Sequence, residues 1–596
     1  MIESRRKRFR TSRMMQLSLG ASQRLAHLHD ASRTVVIDTT IADILERCRT
    51  FRTLDEHAHE VCKARGIDSE REPEVVQALC ELADGGLLVA LEDMLATSGA
   101  AEAVPPITTV AVITKNRPEA LCEALVSYIE HCQLHDRSVD YLVCDDSESA
   151  VTRDGQREVI RGLARRHGVT VHYAGLEEKR RYAAELARAA DVDPRLVDFA
   201  LFDVEATGCS IGANRNAVLL HGAGELLHCA DDDTVCRVVR HPEPGRRLRL
   251  LHGDSLEFWC FPSRAAALAS ASYDERCLLV LHEQLLGRSL SSVLNAAEPE
   301  PDYDGLCDHQ LGALRGRGRI VATMTGILGD SGLHSGARLL ADGGATHARL
   351  VQSEAAYRSA LTSREVLRIS QLAVVHGGGF AGAGFGLDLR ATVPPFLPIG
   401  RAEDSVFGAM LARNGDDCLL GHPEAAILHL PRESRHFEEN HAITVAGEIR
   451  FANALMSLLP EGEIDCGEHP LQNMADRLIA VGRLDDRRFE ASLRDALWKN
   501  TAMACLQLEA TLKAHRASPP FWAKDVEAYL AAVRESLTVD DFWLASDLRE
   551  GRSKQEVLAL MRRLILKFGE LLKVWPELLQ AARSLKNKGL CLGLEP

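Results

Sequence analysis

No run in this 596-residue chain approaches the ~18 consecutive apolar residues that a membrane-spanning helix needs, so stable insertion into a bilayer is not expected. The basic stretch "RRKRFRTSR", residues 5 to 13, is followed by the mixed "MMQLSLGASQRLAHLHD" and not by an apolar core, which excludes a signal peptide and points to the cytoplasm. Net positive charge is also missing. A formal charge of -15 argues against coating of nucleic acid and leaves the basic stretch as a local feature, read as a flexible arm. The sixteen cysteines contain no CxxC pair and no regular spacing, which excludes a zinc knuckle or a disulfide framework. Most are expected to be buried, reduced thiols. The glycines of "VVHGGGFAGAGFGLDLRATVPP" do not spell GxGxxG after a strand, so a dinucleotide site is not expected.

What is present is ordinary globular material, 46% apolar and 26% charged, long enough for two or three domains. "TVVID" reads as a strand, and "TTIADILERC" changes to helical spacing through Ile41, Ile44 and Leu45. Thr53-Leu54-Asp55-Glu56 is a capping box, and a third helix with Val75, Val76, Leu79 and Leu82 inward closes at Gly85-Gly86 before the strand "LLVAL". Residues 1–100 thus form a small winged-helix-like unit, and "ATSGAAEAVPP", residues 96 to 106, reads as a linker. From 105 to 440, strands such as "ITTVAVITKN" and "VDYLVCDDSES" alternate with helices such as "PEALCEALVSYIEHC", which implies an α/β fold on a mostly parallel, Rossmann-like sheet. Residues 441–596 show helical periodicity throughout. Their basic, amphipathic last segment is expected to pack in a core or a dimer and not on a membrane.

In a parallel sheet, ligands gather where strands end at their carboxyl edge. Two strands end there in acids: "YLVC" in Asp145 and Asp146, and "LLHCA" in Asp231, Asp232 and Asp233. Crowded carboxylates repel one another unless a cation neutralises them. In an alternating D-x-D, Asp231 and Asp233 face one side and can share a Mg²⁺ or Mn²⁺ ion, which in turn would hold a diphosphate. A solvated acidic turn is the alternative for any aspartate triplet, but a buried strand before it and a second acidic strand end upstream favour the metal.

Two family resemblances follow from these motifs. The pattern "VVID…ADILERC…RTLDE…V…L.ELADGGLL" resembles the PqqD-like leader-recognition domains of enzymes that modify ribosomal peptides. That resemblance implies capture of a precursor peptide at a sheet edge; a domain that only packs on its neighbour is the alternative. The series "VAVITKNRPEALCEALVSY", "YLVCDDSES", "GANRNAVLLHGAGELLHCADDDTV" and "PFLPIGRAEDSVFGAMLAR" resembles the family-two nucleotide-sugar glycosyltransferases of the GT-A fold.

The second resemblance implies that Thr114, Asn116 and Arg117, with Asp145 or Asp146, hold the nucleoside. Asn214, Arg215 and Asn216 line the donor pocket, and the triplet, with Asp232 at its centre, binds metal through Asp231 and Asp233. Of the late acidic pair Glu403-Asp404, Asp404 is the general base, and His429 stands where some relatives place a third metal ligand. The reaction implied is an inverting displacement on a nucleotide sugar, with a peptide Ser, Thr or Cys as acceptor. A polysaccharide, lipid-linked or small-molecule acceptor, or a degenerate scaffold, remains the alternative. The glycine-rich stretch is expected to shape the acceptor side. "GDSGL", residues 329 to 333, echoes the nucleophile motif of trypsin-like proteases, but lacks a matching histidine motif, so Asp330 and Ser331 are expected to serve a turn.

Overall fold

The computed structural model describes residues 6–29, 31–96, 103–316, 318–415, 418–460 and 469–595. The linker expected at 96–106 lies outside the described residues at 97–102.

The front unit is built from β1 (Arg8–Thr11), β2 (Met14–Ser18), β3 (Gln23–Leu28), β4 (Arg33–Asp38), α1 (Thr39–Arg47), β5 (Arg52–Thr53), α2 (Leu54–Arg65), α3 (Glu72–Asp84), β6 (Leu88–Ala90) and α4 (Leu91–Ala96). Thr53 and Glu56 form the capping box that starts α2, as their spacing predicts. Strands β2, β3 and β4 make an antiparallel meander, which apolar patterning alone did not suggest because only Met14, Ala26 and Leu28 of β2 and β3 are buried.

The basic segment is not a flexible arm. Arg8–Thr11 is the central strand of a three-stranded sheet in the order β5-β1-β6, with Phe9 in the core. Arg10 is buried there, and donates to the Leu306 carbonyl at 3.1 Å and to Asp308 at 2.8 Å. Charge density predicted solvent, but each buried cation in this strand meets an acceptor across the contact with the following unit.

The second unit carries a nine-stranded mixed sheet in the order β12-β17-β19-β14-β18-β10-β7-β8-β9. Its members are β7 (Thr109–Thr114), β8 (Asp140–Asp145), β9 (Val171–Ala174), β10 (Leu226–Asp231), β12 (Arg249–His252), β14 (Arg319–Met324), β17 (Ala373–His376), β18 (Gly384–Asp388) and β19 (Cys418–His422). Strand β7 is buried on both faces. Val110 and Val112 pack with Leu121, Leu125 and Tyr128 of α5 (Pro118–Leu134), while Ala111 and Ile113 pack with Ala217 and Val218 of α9 (Ile211–His221). Helix α6 (Ala150–His167) joins β8 to β9, and α7 (Leu176–Ala190) and α8 (Pro194–Leu201) lie between β9 and α9.

A second, five-stranded sheet was not expected. It runs β11-β20-β15-β16-β13, from β11 (Thr234–Arg240), β13 (Glu257–Cys260), β15 (Gly326–Asp330), β16 (Glu365–Ile369) and β20 (Ala425–His429). Short apolar runs such as "GILGD" and "EVLRI" carry no periodicity that separates a strand from a buried helix.

The last 150 or so residues are helical, as their spacing predicts, but they do not keep a core to themselves. Phe568, Leu572 and Trp575 of the final helix, Lys554–Asn587, belong to the same apolar cluster as Ala111 and Val218. Trp575 donates its indole N–H to the Val393 carbonyl at 2.9 Å, and Leu594 pairs with Tyr173 at the edge of β9. No helix among the described residues is long and apolar enough to cross a membrane. No described cysteine is exposed and all described ones are free thiols.

The buried Arg10 makes a direct prediction. Arg10→Ala should destabilise the chain by roughly 1–3 kcal/mol, because the Leu306 carbonyl loses this donor and Asp308 keeps only Arg49. Chemical denaturation checks this; a change near zero would restore the flexible-arm reading.

Candidate active site

Strand register brings the candidate acids to one edge. Strands β7, β8 and β10 are parallel, with Ile113 opposite Asp231 and Thr114 opposite Asp145, so all three end together. The antiparallel β18 pairs Gly384 with Ala230, which carries the loop at Gly382 alongside Asp231. Antiparallel β11 and β20 pair Thr234 with His429, so His429 stands beside Asp233 although 196 positions separate them in sequence.

The residues of the triplet have different partners. Asp231 accepts from Arg215 at 3.0 Å. Asp232 accepts from the Thr114 hydroxyl at 2.7 Å and from Arg117 at 3.1 Å. Asp233 meets Arg117 at 3.2 Å and the Nε2 of His429 at 3.2 Å. Burial, aided by the neighbouring Asp233, pushes Asp232 up to about 7. Burial would raise Asp233 as well, but His429, Arg117 and Arg435 outweigh it and bring it down to about 2. Asp231 is raised by burial, with Arg215 opposing.

Arg215 ties this edge to the late acidic pair. Helix α9 is buried on every side, so each polar group it carries must find a partner. The Arg215 guanidinium is 3% exposed and joins Asp231 to Glu403, at 3.0 and 3.3 Å, while also donating to the Gly382 carbonyl at 3.2 Å. It lies against the rings of Phe385 and Phe396. A Cβ at Gly382 would stand 1.8 Å from the guanidinium, so only glycine lets the loop approach this closely. Burial, partly offset by Arg215, lifts Glu403 to about 7. Asp404 differs: it is partly exposed and accepts only backbone N–H groups, from Gly382 at 3.2 Å and Ser405 at 2.7 Å.

Four residues expected to touch a ligand are taken up by the scaffold instead. Asn216 has no exposed surface; it spends both amide donors on the Ala200 and Phe396 carbonyls and accepts from the Phe396 N–H. Asn214 donates to the Thr114 and Cys144 carbonyls, locking α9 to two strand ends. Asp145 is fully buried under the Ser147 N–H and the Tyr173 hydroxyl. Asp146 is bonded by Lys179 and by Ser210 at 2.7 Å. Asn116 and Arg117 are exposed at the rim, Asn116 with a positive φ of 58° and its N–H bonded to Ser147.

Lys179 was not foreseen. It is wholly buried and links Asp146 to Asn214, but in "EEKRRYAAEL" it looks like one more charge on a solvated helix. The Asp330 cluster was read only as a turn. Asp330 does accept the Gly332 N–H in such a turn, and Ser331 the Leu333 N–H. Its carboxylate is also held by Arg364 and Arg435, and its carbonyl receives His429 Nδ1 at 2.5 Å.

The donor set of Asp231, Asp233 and His429 suits a hard or borderline divalent ion in its chemistry: two carboxylates and an imidazole whose Nδ1 is fixed by a carbonyl, so that Nε2 faces the acids. As placed, the three do not converge, and no group of three or more such side chains among the described residues closes on a common point. Asp231 would have to leave Arg215 to join an ion.

Compared with known proteins, the chain matches no family model and no curated protein.

A pH dependence follows. Asp232 and Glu403 have ordinary values of 3.8 and 4.5 but stand at about 7 when folded, so between those limits the folded chain binds protons that the unfolded chain has released. These two groups therefore make stability fall as pH rises from about 4 to 7. Asp233 acts oppositely, but only below its ordinary 3.8. Buried histidines such as His221, His282 and His422 act oppositely over the same range, so the test is a difference: without divalent ions, the melting temperature of the wild type relative to Asp232→Asn with Glu403→Gln should fall as pH rises from about 4 to 7, and a difference that does not change with pH would contradict it.

Proposed function

We propose that the chain is a nucleotide-sugar glycosyltransferase of the GT-A kind, acting by inversion, with an acceptor presented by the front unit. The observation that carries this reading is the Arg215 bridge, because one buried cation joins a strand-end acid, Asp231, to the late acidic pair through Glu403. The α/β fold, with acids at the carboxyl edge of parallel strands, supports it as well.

In this reading Asp404 removes the acceptor's proton. It is the better base of the pair because no cation pairs with it among the described residues and part of it reaches solvent, whereas Glu403 is buried against Arg215. Arg117 and Thr114 orient Asp232 and Asp233 at the donor side. Asp231 and Asp233, with His429, would hold a Mn²⁺ or Mg²⁺ ion, which when bound offsets the negative charge of a departing nucleoside diphosphate. Asn214 and Lys179 act at one remove, fixing α9 against the strand ends.

The front unit supplies the peptide reading. Its meander leaves β2 and β4 as free edges, with Leu17 and Val36 more than half exposed, a surface onto which an extended leader can add as a further strand. The acceptor is then a Ser, Thr or Cys of that peptide.

A mass-spectrometric screen of nucleotide sugars should find divalent-dependent release of nucleoside diphosphate. Asp231→Ala combined with Asp233→Ala should abolish it, and unchanged release would remove the metal assignment. Asp404→Asn should bind donor normally and lose transfer by roughly 10²-fold or more, the contribution usual for a general base.

A further inference from the structure

Buried arginines in this chain are matched to acids: Arg10 to Asp308, Arg215 to Asp231 and Glu403, Arg364 to Asp330. Arg368 on β16 departs from this pattern. It is 9% exposed, its Nε has no hydrogen-bond partner, and no carboxylate among the described residues pairs with it. It lies opposite Phe258 and Ile327, which surround its stem with apolar strand.

Two acids act on its charge from a distance, Asp254 and Asp404, and both are already committed. Asp254 receives Arg338 and the Leu256 N–H, and Asp404 receives the Gly382 and Ser405 N–H groups. Both acids reach solvent, and Arg368 itself keeps 9% of its surface exposed. Burial without a partner lowers its proton affinity. An unpaired guanidinium so deeply buried is costly, and a cost of this kind is retained where a ligand relieves it.

We infer that Arg368 is an anion subsite and takes a carboxylate carried by the substrate, near the atom that Asp404 deprotonates. The place of Asp404 in this statement rests on the glycosyl-transfer reading; the subsite itself rests on Arg368. A planar fork with free N–H groups fits a carboxylate through two parallel hydrogen bonds. The carboxylate belongs either to the acceptor or to a uronic acid on the donor.

Succinate is the probe for the subsite. At constant ionic strength, millimolar succinate should raise the melting temperature of the wild type by several degrees, and Arg368→Met should lose that shift. Without succinate, Arg368→Met should melt higher than wild type, whereas a purely structural arginine would make the variant melt lower. Arg368→Lys keeps the charge without the fork and should retain only part of the succinate shift, which preserves the test if the methionine variant fails to fold.

Release of nucleoside diphosphate from UDP-glucuronate and UDP-glucose separates the sources. A selective tenfold loss for the glucuronate in Arg368→Met places the carboxylate on the donor; equal rates beside a lost succinate shift place it on the acceptor. A succinate shift that is absent from the wild type, or equal in wild type and variants, overturns the inference. If no nucleotide sugar is turned over while the succinate shift still depends on Arg368, the glycosyl-transfer reading fails and the subsite stands.

Discussion

The candidate edge depends on one buried cation. Arg215 sits in a helix with no solvent face, so its charge is tolerable only with partners, and the partners it finds are Asp231 from the central strand and Glu403 from a distant helix. That need positions the rest. The Gly382 loop must pass close over the guanidinium, which brings the Gly382 N–H to Asp404, and only a residue without a side chain can make that approach. The same helix sends Asn214 to two strand ends and Asn216 to the loop at Phe396, so the candidate edge is braced from within by polar side chains bonded to main-chain carbonyls.

The charges around this brace are unequal. Asp233 is held ionised by His429 and arginines, Asp232 and Glu403 sit near neutral pH, and Asp404 keeps free oxygen lone pairs facing solvent. Carboxylates with environments this different can divide the work of holding a cation and moving a proton. The basic N-terminal strand obeys the same rule at the other end of the molecule, where Arg10 is buried because Asp308 and a carbonyl meet it.

Much of this was legible in the sequence. The acid-ended strands, the capping box at Thr53 and the helical tail all rest on local patterns, and local patterns survive folding. What was not legible depends on distant pairing. Arg8–Thr11 reads as a solvated charge run because its acid partner lies some 300 positions away, and Lys179 looks like a surface residue for the same reason. The roles of Asn214 and Asn216 were misjudged because an asparagine that braces a buried helix has the same sequence signature as one that binds a ligand. The second sheet escaped notice because its strands are short, apolar and without period.

The central proposal is that the aspartate triplet accepts a divalent ion together with a nucleoside diphosphate, Asp231 exchanging Arg215 for the ion. Titration of Mn²⁺ followed by electron paramagnetic resonance, alone and with UDP or GDP, tests it most directly. Loss of the free-ion signal at stoichiometric protein, strengthened by one of the nucleotides, is the predicted result. A free-ion signal that the protein leaves unchanged with either nucleotide would contradict it.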